Sequence, residues 1–127
     1  MIGEDSMQIL PDIYLVGSGR SGFRLSDDYD CHIFLLDGGE EAALIDAGAG
    51  VDLEPLLANI EAIGLEPSRL RSLILTHAHA DHGGAAAALR ARLGCRVLVS
   101  EAEARTVETG DIVASGLEVA LRSRVYP

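Results

Sequence analysis

Ser72-Leu73-Ile74-Leu75-Thr76-His77-Ala78-His79-Ala80-Asp81-His82-Gly83-Gly84 is the stretch on which the reading of this chain turns. Ser72 to Thr76 is short and nearly all apolar, the pattern of a strand buried on both faces. If the chain stays extended beyond Thr76, alternate side chains project to one side. His77 and His79 can then close on one cation through neutral imidazole nitrogens. Asp81 and His82 follow where the chain turns into a helix, so they reach a point a few ångströms away. That suits a second metal, since paired metals in hydrolases lie about 3.5–4 Å apart. Gly83-Gly84 lets backbone approach closely at the turn. Three of the four histidines fall between positions 77 and 82 with an aspartate among them, a clustering that ordinary exposed loop histidines would leave unexplained.

Downstream of this loop, Gly83 to Leu93 reads as an alanine-rich helix closed by Gly94, and Arg96 to Val99 as the next buried strand. A short helix after Glu101 and another within Asp111 to Arg124 follow from weaker patterns. Upstream, Asp52 is a candidate N-cap for an amphipathic helix over Asp52 to Ile63, with Leu53, Leu56, Leu57, Ile60 and Ile63 at helical spacing and Gly64 as a left-handed stop. Cys31 to Leu36 and Ala42 to Ile45 are apolar runs joined by Asp37-Gly38-Gly39-Glu40-Glu41, a hairpin signal. Gln8 to Val16 reads as a strand in which Pro11-Asp12 marks a turn or edge, and Gly17 to Asp30, rich in Gly, Ser and Asp, as a loop. Helices alternating with strands indicate an α/β fold.

Composition narrows the partners. The 127 residues carry a net charge of −10 and are 48 % apolar, enough for one core and unsuited to a broad phosphate-binding face, so nucleic acid is not expected. Met1 to Ser6 lacks the basic and apolar regions of a secretory signal. No apolar run approaches the roughly 18 to 20 residues of a membrane span. Cys31 and Cys95 form no CxxC pair and read as buried small hydrophobes, which makes a cytoplasmic setting the expectation.

Thr76 to Gly84 resembles the HxHxDH signature of the metallo-β-lactamase superfamily, and Leu44-Ile45-Asp46-Ala47-Gly48 resembles its first motif, a strand ending in Asp-x-Gly. The pattern extends over about Gln8 to Val99. The resemblance implies that His77 and His79 bind a first metal and that Asp81 and His82 bind a second, with Asp81 also counted in the catalytic chemistry. It implies that Asp46 steadies the histidine loop; a strand-end carboxylate capping a turn is the equal alternative. The implied cofactor is zinc, two ions, with iron or manganese as alternatives. The implied activity is hydrolysis of an ester, thioester, lactone or related bond in a small molecule by metal-activated water. An iron-dependent persulfide dioxygenase on the same scaffold, or a non-catalytic metal-binding module, are the competing readings. Because Asp81-His82 keeps every local ligand, thioester or ester hydrolysis is favoured over lactam hydrolysis.

Ligand counting qualifies this. A catalytic zinc takes three protein ligands and water, whereas the loop offers two per metal and no histidine follows His82. The fourth histidine, His32, reads as an ordinary strand residue. The family's fold is an αββα sandwich of two halves, and residues 1–127 read as a single domain equivalent to its N-terminal half: a mixed sheet with flanking helices, truncated before the second. Such a fragment is expected to bind zinc weakly, to be inactive alone, and to bury its open sheet face in a homodimer.

Overall fold

The computed structural model describes residues 7–124; Met1 to Ser6 and Val125 to Pro127 lie outside it. Six strands form one sheet in sequential order: β1 (Gln8–Leu10), β2 (Ile13–Gly17), β3 (Ile33–Asp37), β4 (Ala42–Ile45), β5 (Leu70–Ile74) and β6 (Arg96–Leu98). The first four pair antiparallel, and β4–β5 and β5–β6 pair parallel. Parallel neighbours need crossovers. These are helix α1 (Glu54–Ala62), followed by a 3-10 turn at Pro67–Arg69, and the pair α2 (Ala80–Gly83) and α3 (Ala86–Leu93). Helices α4 (Glu101–Thr109) and α5 (Leu117–Arg122) close the described chain.

The alternation of strand side chains decides where the core sits. Val16, Ile33, Leu35, Leu44 and Leu73 point to one face, are wholly inaccessible, and pack against Leu56 and Ile60 of α1 and Leu89 of α3. Each such side chain contributes roughly 1.5–3 kcal/mol by leaving water. The register puts Leu36, Ile45, Ile74 and Leu98 on the other face. There Leu36 and Ile74 are each 37 % exposed and Leu98 41 %. The expectation of strands buried on both faces therefore fails at Ile74 of β5 and Leu98 of β6, although Ser72 on the same face of β5 is buried. The described residues form one mixed six-stranded sheet whose second face is partly exposed.

Several boundaries move for identifiable reasons. Gln8 to Val16 is two short strands, because Asp12 turns the chain with φ +65. Strand β3 starts at Ile33 rather than Cys31, since the Cys31 N–H leaves the ladder to donate to the Asp81 carbonyl at 3.3 Å. Strand β5 ends before Thr76, whose N–H is taken by Asp46 Oδ1 at 2.8 Å. The single helix expected from Gly83 to Leu93 is instead broken at Gly84-Ala85, where the Ala85 N–H donates to the Gly48 carbonyl at 3.1 Å. Helix α1 begins at Glu54 with Leu53, not Asp52, in the N-cap position, and Asp52 Oδ1 accepts the Glu54 N–H at 3.0 Å from one residue further back. The helix within Asp111 to Arg124 is confined to α5.

A buried amide sets the remaining loop. Asn59 Nδ2 in α1 donates to the carbonyls of Val16 at 2.8 Å and Leu25 at 2.6 Å, which pins the segment between β2 and β3 onto the helix. Inside that segment the Ser18 hydroxyl accepts the N–H groups of Phe23 and Leu25, and Ser26 Oγ donates to Asp30 Oδ2 at 2.7 Å. Asp30 Oδ1 in turn accepts the Ala49 N–H at 2.9 Å. No helix of the described residues is long and apolar enough to cross a membrane.

Candidate metal centre

The histidine loop runs from the C-terminal end of β5 into α2, next to the end of β4. Carboxyl ends of adjacent parallel strands are where open α/β sheets place ligands. The chain stays extended as far as His79 (φ −60, ψ 147), so His77 and His79 share a side, their ring centroids 4.8 Å apart in edge-on contact. Helix α2 then turns the chain, and the His82 N–H donates to the His79 carbonyl at 3.0 Å. This turn brings the His82 ring to 4.0 Å from that of His77. It also sets Asp81 Oδ2 3.6 Å from His82 Nε2. The four expected ligands thus form one cluster.

Asp46 organises it. The residue is 4 % exposed and has a left-handed backbone, φ +67, a conformation that costs a non-glycine residue of order 1 kcal/mol. In return its carboxylate faces the histidine loop. It accepts from the Thr76 N–H at 2.8 Å, contacts Thr76 Oγ1 at 2.8 and 3.0 Å, and lies 2.8 Å from His82 Nδ1. Asp46 thus contacts both the Thr76 turn and the His82 ring.

Proton accounting then fixes two tautomers. An ionised carboxylate only accepts, so His82 Nδ1 carries the proton and Nε2 is left with its lone pair. The Thr76 hydroxyl has one proton, which goes to Asp46; it therefore accepts from His77 Nδ1, 2.9 Å away. His77 Nε2 is likewise left as a free donor to metal. Two imidazole lone pairs and the Asp81 carboxylate are a donor set that fits a divalent metal ion.

Asp46, Asp81 and His82 line a cleft of about 1030 Å³ together with Arg20, Tyr29, Asp30, Cys31 and His32, while His77 and His79 lie outside its lining. The loop between β2 and β3 is thus a wall of the site. His32 lies just before β3, is exposed, and packs its ring over Gly22, where a Cβ would come within 2.8 Å of it. It is a cleft residue, not a strand residue. Cys95 is core, as expected. Cys31, read as an inert small hydrophobe, is buried but belongs to the site: its Sγ, a carboxylate oxygen of Asp46 and a ring nitrogen of His82 all lie within 4.8 Å of one another. Burial, and then the nearby Asp46 carboxylate, push its thiol up to about 12. The polar triplet Asp30-Cys31-His32 at the entrance of an apolar strand was the signal available for it. Burial likewise raises the Asp30 carboxyl, against the lowering effect of its bonds to Ser26 and Ala49.

Residues 26–116 match the metallo-beta-lactamase superfamily model. The chain is similar to a hydroxyacylglutathione hydrolase of Anaeromyxobacter dehalogenans, 38 % identical over 77 % of this chain and 37 % of that protein. It is similar to another from Dechloromonas aromatica, 44 % identical over 50 % of this chain and 22 % of that protein. Among solved structures, a mutant of a Cronobacter sakazakii metallo-beta-lactamase with the HARLDQ motif superposes with a TM-score of 0.66 at 32 % identity, covering 78 % of this chain and 35 % of that one. The chain therefore spans between 22 % and 37 % of the length of these relatives. Taken with the mixed sheet and the histidine loop at its strand ends, these matches place the chain in the metallo-beta-lactamase superfamily.

Proposed function

We propose that this chain carries the metal-binding half of a hydrolase site that cleaves a thioester or ester of a small molecule. His77 and His79 would hold one zinc ion, and Asp81 and His82 a second. The observation that carries the reading is the Asp46 network, which leaves Nε2 of both His77 and His82 free as donors. Zinc, when bound, supplies Lewis acidity and brings the pKa of water toward about 7. The chain's own residues do the rest. Asp46 holds the imidazoles in one tautomer, so that no reorganisation is needed when the ion arrives. The loop between β2 and β3 walls the cleft in which the substrate lies. Similarity to relatives named as hydroxyacylglutathione hydrolases supports a thioester over a lactam.

Ligand number supports an incomplete site: with two donors per ion from the loop, the remaining ones have to come from outside it. The test is hydrolysis of a 2-hydroxyacyl thioester of glutathione and of a chromogenic lactam by a protein containing this chain, loaded with zinc, iron or manganese. Zinc-dependent thioester cleavage that disappears in His77→Ala is expected. Cleavage of the lactam alone, or activity confined to the iron form, would overturn it.

A further inference from the structure

We propose that Arg20, on the wall formed between β2 and β3, recognises a carboxylate of the substrate away from the bond to be cleaved, so that acidic thioesters or esters are preferred over neutral ones. The inference rests on the hydrolase reading above and adds to it a specificity residue outside the histidine loop.

The first observation is how charges pair in the cleft. Arg20 and His32 line it, as does Arg124 after α5, in a chain whose net charge is −10. Four carboxylates line it too, and each is engaged inside the fold. Asp28 faces Arg24 at 4.0 Å, Asp30 holds Ser26 and Ala49, Asp46 holds Thr76 and His82, and Asp81 lies 3.6 Å from His82. Among the described residues no carboxylate pairs with the Arg20 guanidinium, whose contact is the Tyr29 ring, 5.7 Å from Cζ to the centroid. A guanidinium laid on an aromatic face keeps its N–H edge free. That planar fork of donors matches a carboxylate in a bidentate pair.

The second observation is that the base of this side chain is fixed. The Arg20 N–H donates to the Asp28 carbonyl at 2.9 Å, and a Cβ on the preceding Gly19 would strike the carbonyl oxygens of Asp28 and Asp30. Less entropy is therefore lost when the guanidinium takes a partner. His32 presses its ring against Gly22 of the same loop and brings a second polar group to the cleft. A monoanion suits this wall better than a phosphate dianion, because Asp28 and Asp30 share the lining and repel the larger charge more strongly.

The test takes a zinc-loaded protein containing this chain and compares the 2-hydroxyacyl thioesters of mercaptopropionate and of mercaptopropionamide, which differ in one charge. The acid is expected to exceed the amide at least about tenfold in kcat/KM, with the difference in KM. Arg20→Gln should shrink that ratio at least about fivefold and Arg20→Lys by less, because an ammonium keeps the charge and loses the fork. Arg24→Gln, whose side chain lies outside the cleft lining, should keep the wild-type ratio. Binding is read separately with the corresponding thioethers, which cannot be hydrolysed, through the Arg20 Nε–Hε resonance; the acid should shift it and bind more tightly than the amide. Equal kcat/KM for the two thioesters, or a ratio untouched by Arg20→Gln, would overturn the role of Arg20 and leave the hydrolase reading standing. Cleavage of neither thioester, with the acidic thioether still selected through Arg20, would overturn the hydrolase reading alone. Equal binding of the two thioethers would overturn this inference.

Discussion

Asp46 Oδ2 and His82 Nδ1 lie 2.8 Å apart across 36 positions of sequence, so the end of one strand sets the tautomer of a histidine in the turn after the next. Replacing Asp46 with Ala would orphan three donors, the Thr76 N–H, the Thr76 hydroxyl and His82 Nδ1–H. Hydrogen bonds to charged groups contribute about 1.5–3 kcal/mol each and are not additive. Asp46→Ala should cost about 3 kcal/mol or more in urea unfolding and lower zinc affinity about 10–100-fold. Asp46→Asn, which tolerates the left-handed backbone, should cost about 1–2 kcal/mol.

The two pairs of loop ligands should be separable. In a longer protein that contains this chain, His77→Ala and His79→Ala are expected to abolish one zinc equivalent in calorimetry while leaving one bound through Asp81 and His82. His82→Ala should do the converse. A full complement of zinc in any of these variants would contradict the assignment.

Gly84 sits where backbone passes backbone. A Cβ there would collide with the Ala49 and Ala80 carbonyl oxygens, and neither can move without shifting the Asp46 turn or α2. Gly84→Ala should therefore destabilise by about 1–3 kcal/mol in thermal unfolding and weaken metal binding with it.

Asp30 yields a prediction about acidity. Its folded carboxyl is raised above the ordinary 3.8, chiefly by burial. Below 3.8 both folded and unfolded states hold the proton and Asp30 has no effect on the balance. As pH rises past 3.8 the unfolded chain ionises first, so Asp30 subtracts stability, fully so above its raised folded value. Asp30→Asn keeps an oxygen for the Ala49 N–H and a partner for Ser26. Urea midpoints should show the variant more stable than wild type at neutral pH, with the advantage vanishing below 3.8.

The open sheet face should drive association between copies. Light scattering is expected to show a mass that rises with concentration, and Leu36→Lys with Leu98→Lys should return the chain to a monomer, since both side chains are already more than a third exposed and charge there costs little folding energy. A concentration-independent monomer in the wild type would refute this.

What the sequence made legible was local. The ligand pairing of His77 with His79 depends on backbone alternation, and that of Asp81 with His82 on the adjoining turn, so spacing sufficed. The hairpin at Asp37 to Glu41 and the stops at Gly64 and Gly94 were readable because turn chemistry resides in single residues. What escaped depended on distant partners. Nothing around Gly84 marks a helix break until the Gly48 carbonyl is seen to claim the Ala85 N–H. Cys31 sits between the polar Asp30 and His32, but its place in the cleft becomes definite only when its backbone is found bonded to Asp81. The β5 and β6 side chains had the composition of doubly buried strands, but burial on the second face needs a layer these residues do not supply.

The loop between β2 and β3 has a thermodynamic consequence. Asn59 holds it at Leu25, Ser18 ties its middle, and Asp30 anchors its end to Ala49. A wall fastened in this way is ordered before any molecule reaches the cleft, so the entropy normally lost in fixing a binding loop has been spent during folding. Selection among ligands then comes from fit to a preformed surface, and a bulky acyl group would be turned away by shape where a softer loop would have adjusted to admit it.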